Sequence, residues 1–95
     1  MNITKDIHWF KNDIAPLLKE YEIIYKYFEK GDFGSLNQVE LNSTKIGGNI
    51  DFWGLGWLGI FVFDYEANEQ LYNILLETGQ EDEKEKAFER LLQLL

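Results

Sequence analysis

The residues equipped for chemistry are few, and their spacing limits what they could do. Gly54-Leu55-Gly56-Trp57-Leu58-Gly59 spells G-x-G-x-x-G, the spacing of a turn whose backbone N–H groups approach a pyrophosphate. That use needs a helix opening directly after the turn. Here Ile60-Phe61-Val62-Phe63 follows, a strand pattern in anionic surroundings. The glycines are better explained by a hairpin turn and by clearance for Trp53 and Trp57, so no cofactor is expected. The acidic run from Glu77 to Glu85 lacks the D-x-D-x-D-G loop of a calcium site, and a helix would splay its carboxylates over several faces. It reads as a solvated helix start, and no metal is expected. His8 is the sole histidine and reads as a surface or cap residue beside Trp9. The lack of cysteine removes thiolate nucleophiles and thiolate metal sites, and neither G-x-S-x-G nor H-E-x-x-H is present. Asp51 with Asp64 remains as a carboxylate pair for general acid–base work, marked only by its aromatic neighbours. The chain is not expected to be an enzyme.

A binding surface is the remaining possibility, and charge points to it. The 95 residues carry a net charge of −8. Direct nucleic-acid binding would need Lys and Arg on phosphates and is not expected. From Ile46 to Glu83 there is no Lys or Arg, while Asp51, Asp64, Glu66, Glu69, Glu77, Glu81, Asp82 and Glu83 all fall there. Such a balance serves solubility in many acidic domains; it also suits a basic protein partner. Strand alternation puts Asp51 and Trp53 on one face and Glu40 with Gln38 and Asn42 on one face. Asp64, Glu66 and Glu69 would ring a strand end. The candidate partner-binding residues are therefore Glu40, Asp51, Trp53, Asp64, Glu66 and Glu69. Trp57 is expected to fill the core; Trp53, beside a Gly turn, could either do so or stay partly exposed.

The elements that must position these residues follow from periodicity. Ile7, Phe10, Ile14, Leu17, Tyr21, Ile24 and Phe28 recur at alternating three-four spacing, a helical stripe. Pro16 interrupts it. With Asp13 as N-cap, Pro16 falls in the first turn, so a main helix is expected from about Ile14 to Glu29, ended by Gly31. Leu36 to Thr44 alternates as a half-exposed strand. Lys45 to Gly48 is a turn, Asn49 to Trp53 a second strand, and Gly54 to Gly56 another turn. The next strand runs to Tyr65, and from Trp57 to Phe63 it is apolar on both alternating faces, as in a central strand buried on both. Asn68 to Glu77 fits a helix or a strand, and hairpin-length linkage favours a strand. From Glu81 a helix opens on carboxylates suited to its positive end. Its expected buried stripe is Phe88, Leu91, Leu92 and Leu95, with Lys84 and Lys86 pairing to Glu81 and Asp82.

These elements predict one α+β domain over residues 1–95: an N-terminal helix, a four-stranded antiparallel meander and a C-terminal helix, both helices on one face. The lack of cysteine suits a reducing cytosol. The N-terminus is charged within six residues, with no apolar leader segment, and no apolar run reaches the length of a membrane helix. A cytoplasmic location and no membrane partner are expected.

The block GGNIDFWGLGWLGIFVFDYE, followed by NILLE and a Glu/Lys-rich terminal helix, resembles the small acidic immunity proteins of bacterial contact-dependent growth inhibition and related polymorphic toxin systems. The resemblance spans Phe33 to Leu95 and is one of texture, without a shared motif that carries residue roles. It implies a cytoplasmic protein that binds a cognate toxin domain, commonly a basic nuclease, and presents carboxylates where phosphates would sit. A monomer is favoured. Two other classes stay open: an adaptor or homo-oligomerisation module whose strand edges and Trp53 meet a copy of themselves, and a small enzyme using Asp51, Asp64 or Glu40.

Overall fold

Five strands form one antiparallel sheet whose spatial order is the chain order, and all helical segments lie on one of its sides. The computed structural model describes residues 5–95; residues 1–4, where the expectation of no leader begins, lie outside the described residues. The strands are β1 (Glu22–Gly31), β2 (Gly34–Asn42), β3 (Ile46–Trp53), β4 (Leu58–Asp64) and β5 (Glu69–Leu76). The helices are α1 (Ile7–Trp9), continued by a π turn (Phe10–Ile14) and a 3-10 turn (Ala15–Leu17), and α2 (Glu81–Leu94). The class is α+β, as expected, but the meander has five strands rather than four.

The difference lies at Ile14 to Glu29. No long helix forms there; the helical segment stops at Leu17 and β1 begins at Glu22. The three-four stripe holds as far as Ile14: Phe10 and Ile14 are buried in the core, but Leu17, its next member, is exposed and Leu18 takes the buried place. Beyond it the stripe coincides with a second pattern. Ile23, Tyr25 and Tyr27 alternate with Ile24, Lys26 and Phe28, and β-branched and aromatic residues at that density prefer a pleated backbone. Pro16 sits at the start of the 3-10 turn, where its missing N–H costs least. Asp6, not Asp13, caps the segment, its carboxylate accepting the Trp9 N–H at 2.9 Å.

Strand pairing then fixes two faces. Val39 pairs Ile50, which pairs Ile60, which pairs Ile74, a row that points at the helices. With Leu41, Phe52, Leu58, Val62 and Leu76 it forms the sheet half of the core. Phe10, Ala87, Phe88 and Leu91 form the helical half. Phe88 stacks on Phe52 at 6.0 Å and meets Trp9 edge-on at 4.7 Å. β4 is interior, hydrogen-bonded to β3 and β5, but the middle strand is β3. The helix-side face of β4 is buried at Leu58, Ile60 and Val62; on the other face Gly59 is buried, while Phe61 and Phe63 are half-buried. The segment that fitted helix or strand is β5, and α2 packs over β4 and β5. Leu92, expected in its buried stripe, is exposed; Lys84 takes a buried place instead.

Candidate protein-binding surfaces

The face away from the helices carries three of the six candidate residues. Register aligns them in rows: Ile24, Glu40, Asn49, Phe61 and Asn73 in one, and Lys26, Gln38, Asp51, Gly59 and Leu75 in the next. Trp53 closes a shorter row with Phe28 and Leu36. Glu40, Asp51 and Trp53 therefore do share a face. Their polar groups are engaged within it. Glu40 Oε1 lies 2.6 Å from Lys26 Nζ. Asp51 Oδ1 accepts from Gln38 Nε2 at 2.8 Å and from Asn49 Nδ2 at 3.3 Å.

Two glycines explain how aromatic rings lie flat on this face. A Cβ on Gly59 would sit 3.2 Å from the six-membered ring of Trp53. A Cβ on Gly47 would collide with the Tyr65 hydroxyl, which donates to Asn42 Oδ1 at 2.7 Å. Each strand gives up a side chain so that a neighbouring ring can cover its backbone. Nearby, Trp57 stacks on Phe33 at 4.0 Å, and Phe33 meets Trp53 edge-on at 5.2 Å. Trp57 is thus half-buried in a peripheral aromatic cluster and not in the core as expected. A shallow groove of about 390 Å³ runs between Tyr65 and Glu40, floored by Asn49, Phe61 and Phe63.

The other three candidates sit at the β4–β5 turn. Asp64 Oδ1 accepts the N–H groups of Glu66 and Ala67 at 2.9 and 3.0 Å, so its carboxylate shapes the turn. It pairs Ile46 and belongs by register to the helix side, opposite Asp51. The two cannot act as a dyad. Glu66 and Glu69 are exposed, and neither is in an ion pair among the described residues.

Lys84, the first basic residue after the acidic stretch, points inward. It is only 6% exposed, donates to the Gly56 carbonyl at 2.7 Å and reaches Glu81 at 3.2 Å. This ties α2 to the β3–β4 turn and removes its charge from the surface. The expected Lys84–Glu81 pair forms; no Lys86–Asp82 pair forms among the described residues. Glu77, Glu81, Asp82 and Glu83 stand exposed beyond the last residue of β5. The outer edge of β5, with no strand neighbour among the described residues, is thereby flanked by carboxylates at both ends.

A second edge went unseen from the sequence. β1 exposes Ile24, Tyr25, Tyr27 and Phe28, and the helical reading of those residues concealed it. The alternation of Ile24, Lys26 and Phe28 against Tyr25 and Tyr27 was the available signal.

Among the described residues no group of three His, Cys, Asp or Glu side chains gathers as a metal site would require. No helix among them is long and apolar enough to cross a membrane. Comparison with protein families, curated proteins and solved structures finds no match to this chain.

Proposed function

We propose that this chain is an immunity protein: a cytoplasmic, non-enzymatic inhibitor that binds a cognate basic toxin domain, of nuclease type, through the β5 side of its sheet. One observation carries this reading. Between Ile46 and Glu83 every formal charge is negative, and the base that would interrupt the surface, Lys84, is buried and paired. An unpaired strand edge supplies backbone hydrogen-bonding groups. Carboxylates at its two ends supply long-range attraction to a cationic protein. Glu66 and Glu69 are the candidate contacts that remain free to make it. Asp64 supports them through the turn, and Glu40, Asp51 and Trp53 stiffen the adjoining face.

The test is co-purification with the product of the neighbouring gene. A complex tighter than micromolar at physiological salt is expected; no complex at that affinity overturns the proposal. Steered encounter further requires that added salt slows association far more than it changes dissociation.

A further inference from the structure

The β1 edge is the least protected surface of the molecule. It is ten residues long, has no strand beyond it among the described residues, and exposes Ile24, Tyr25, Tyr27 and Phe28. Long, flat, apolar edges template further strand pairing, and proteins usually blunt them with charge or bulges. Here the bulge is confined to the far end, between Phe28 and Gly31. The one central charge, Lys26, is neutralised by Glu40 on the neighbouring strand.

The order of residues along this edge says what fits it. Ile24-Tyr25-Lys26-Tyr27-Phe28 reads nearly the same in both directions. Two antiparallel copies in one continuous sheet are related by a two-fold axis normal to it, so directly opposed residues must share a face. Only registers centred on a residue meet that condition. Centring on Lys26 sets Ile24 against Phe28 and Tyr25 against Tyr27. Centring on Tyr25 would set Glu22 against Phe28 and Ile24 against Lys26. Centring on Tyr27 would set Phe28 against Lys26 and Tyr25 against Glu29. Of these three registers, the Lys26-centred one alone matches apolar with apolar throughout Ile24 to Phe28, with Glu29 and Lys30 left to the bulge beyond it. The two lysines at the axis are each held by their own Glu40.

We propose that two copies of this chain pair through β1, antiparallel and centred on Lys26, into one continuous ten-stranded sheet. This surface is separate from the β5 side, so dimerisation and capture of a partner are independent of one another.

The absence of cysteine makes a clean probe available. In this register Lys26→Cys places two thiols directly opposite each other, near disulfide distance. Sedimentation equilibrium of the full chain at tens of micromolar should give twice the 11.2 kDa monomer mass. Mild oxidation should cross-link Lys26→Cys at least tenfold faster than Leu75→Cys, which sits exposed on the β5 edge. Ile24→Lys should shift the mass to monomer while leaving the circular dichroism spectrum unchanged. A wild-type monomer at that concentration overturns the proposal, as does equal cross-linking at the two edges. A dimer that survives Ile24→Lys overturns the β1 interface. Loss of the dimer only when a foreign protein is added would make that protein's strand the true occupant, and also overturns it.

Discussion

The two edges of the sheet occupy equivalent places and are built on opposite principles. β5 is anchored from behind: Leu76 is buried, Tyr72 and Ile74 pack against the core, and α2 lies across them. Its outward chemistry is acidic, with Glu66 and Glu69 at one end and Glu77, Asp82 and Glu83 at the other. β1 has little behind it. Ile23 packs against the core, but Tyr27 is 62% exposed, and its charges are mixed, with Glu22, Lys26, Glu29 and Lys30. An anchored edge can present charge without endangering the fold, because its stability comes from apolar area on its other face. A weakly backed edge keeps apolar groups outward and is stabilised by whatever next strand it meets.

The largest way to break this contrast is to remove apolar mass from each edge. Leu76→Ala should lower unfolding free energy by about 2–5 kcal/mol in urea titration, as deletion of buried leucines does. Ile24→Ala, measured on dilute protein, should cost less than about 1 kcal/mol. Equal losses would mean that β1 is as firmly anchored as β5.

A smaller effect belongs to Lys84. Lys84→Met keeps the buried volume but leaves the Gly56 carbonyl without this donor. A hydrogen bond from a charged group contributes about 1.5–3 kcal/mol, and denaturation should show a loss in that range. The same variant removes a positive charge and frees Glu81 at the end of β5, so affinity for the partner should hold or rise.

Charge reversal distinguishes the edges by function. Glu66→Lys with Glu69→Lys should weaken partner binding about tenfold, mostly through the association rate seen by stopped flow. Glu22→Lys with Glu29→Lys on β1 should leave that rate within about twofold, since exposed charges beyond roughly 10 Å are screened. Similar losses from both pairs would place the partner elsewhere.

The smallest effect appears in alkali. Burial, then the Glu20 carboxylate, push the Tyr21 phenol above its usual 10.0, opposed by the Ser43 hydroxyl; burial likewise raises Tyr25. A group raised in the folded state stabilises it below the unfolded pKa, and that contribution is lost as pH rises through the folded value. Stability should therefore fall above about pH 10, and Tyr21→Phe should flatten the fall in thermal melts. Tyr25 lies on β1, so its ultraviolet titration should move higher in concentrated solution if β1 pairs, and stay fixed if it does not.

Much of the fold is legible in residue order because its causes are local. The turn expected at Lys45 to Gly48 falls earlier, at residues 43–45, with Ile46, Gly47 and Gly48 in β3, but the turn at Gly54 to Gly56, the alternation along β2 and β3, and the acidic opening of α2 are each set by neighbours within a few positions. So is the split of the acidic stretch from the basic ends. The error at β1 had a physical source. Between Leu17 and Phe28 the spacing fits a helical stripe and a strand at once, and only the fate of Pro16 and a free place beside β2 decides between them. That decision is tertiary: pairing with β2 satisfies the inner backbone groups of β1 and sets Ile23 against the core.

Residue identity determined the net charge, the lack of thiol chemistry, the antiparallel meander and the apolar row that became the core. Only the folded arrangement decided that Lys84 turns inward, that Glu40 is held by Lys26, that Asp51 and Asp64 face opposite ways, and that Trp57 stacks on Phe33 outside the core. Those outcomes depend on which strands become neighbours. Distance and burial, and not position in the chain, set whether a charge is free to meet a partner.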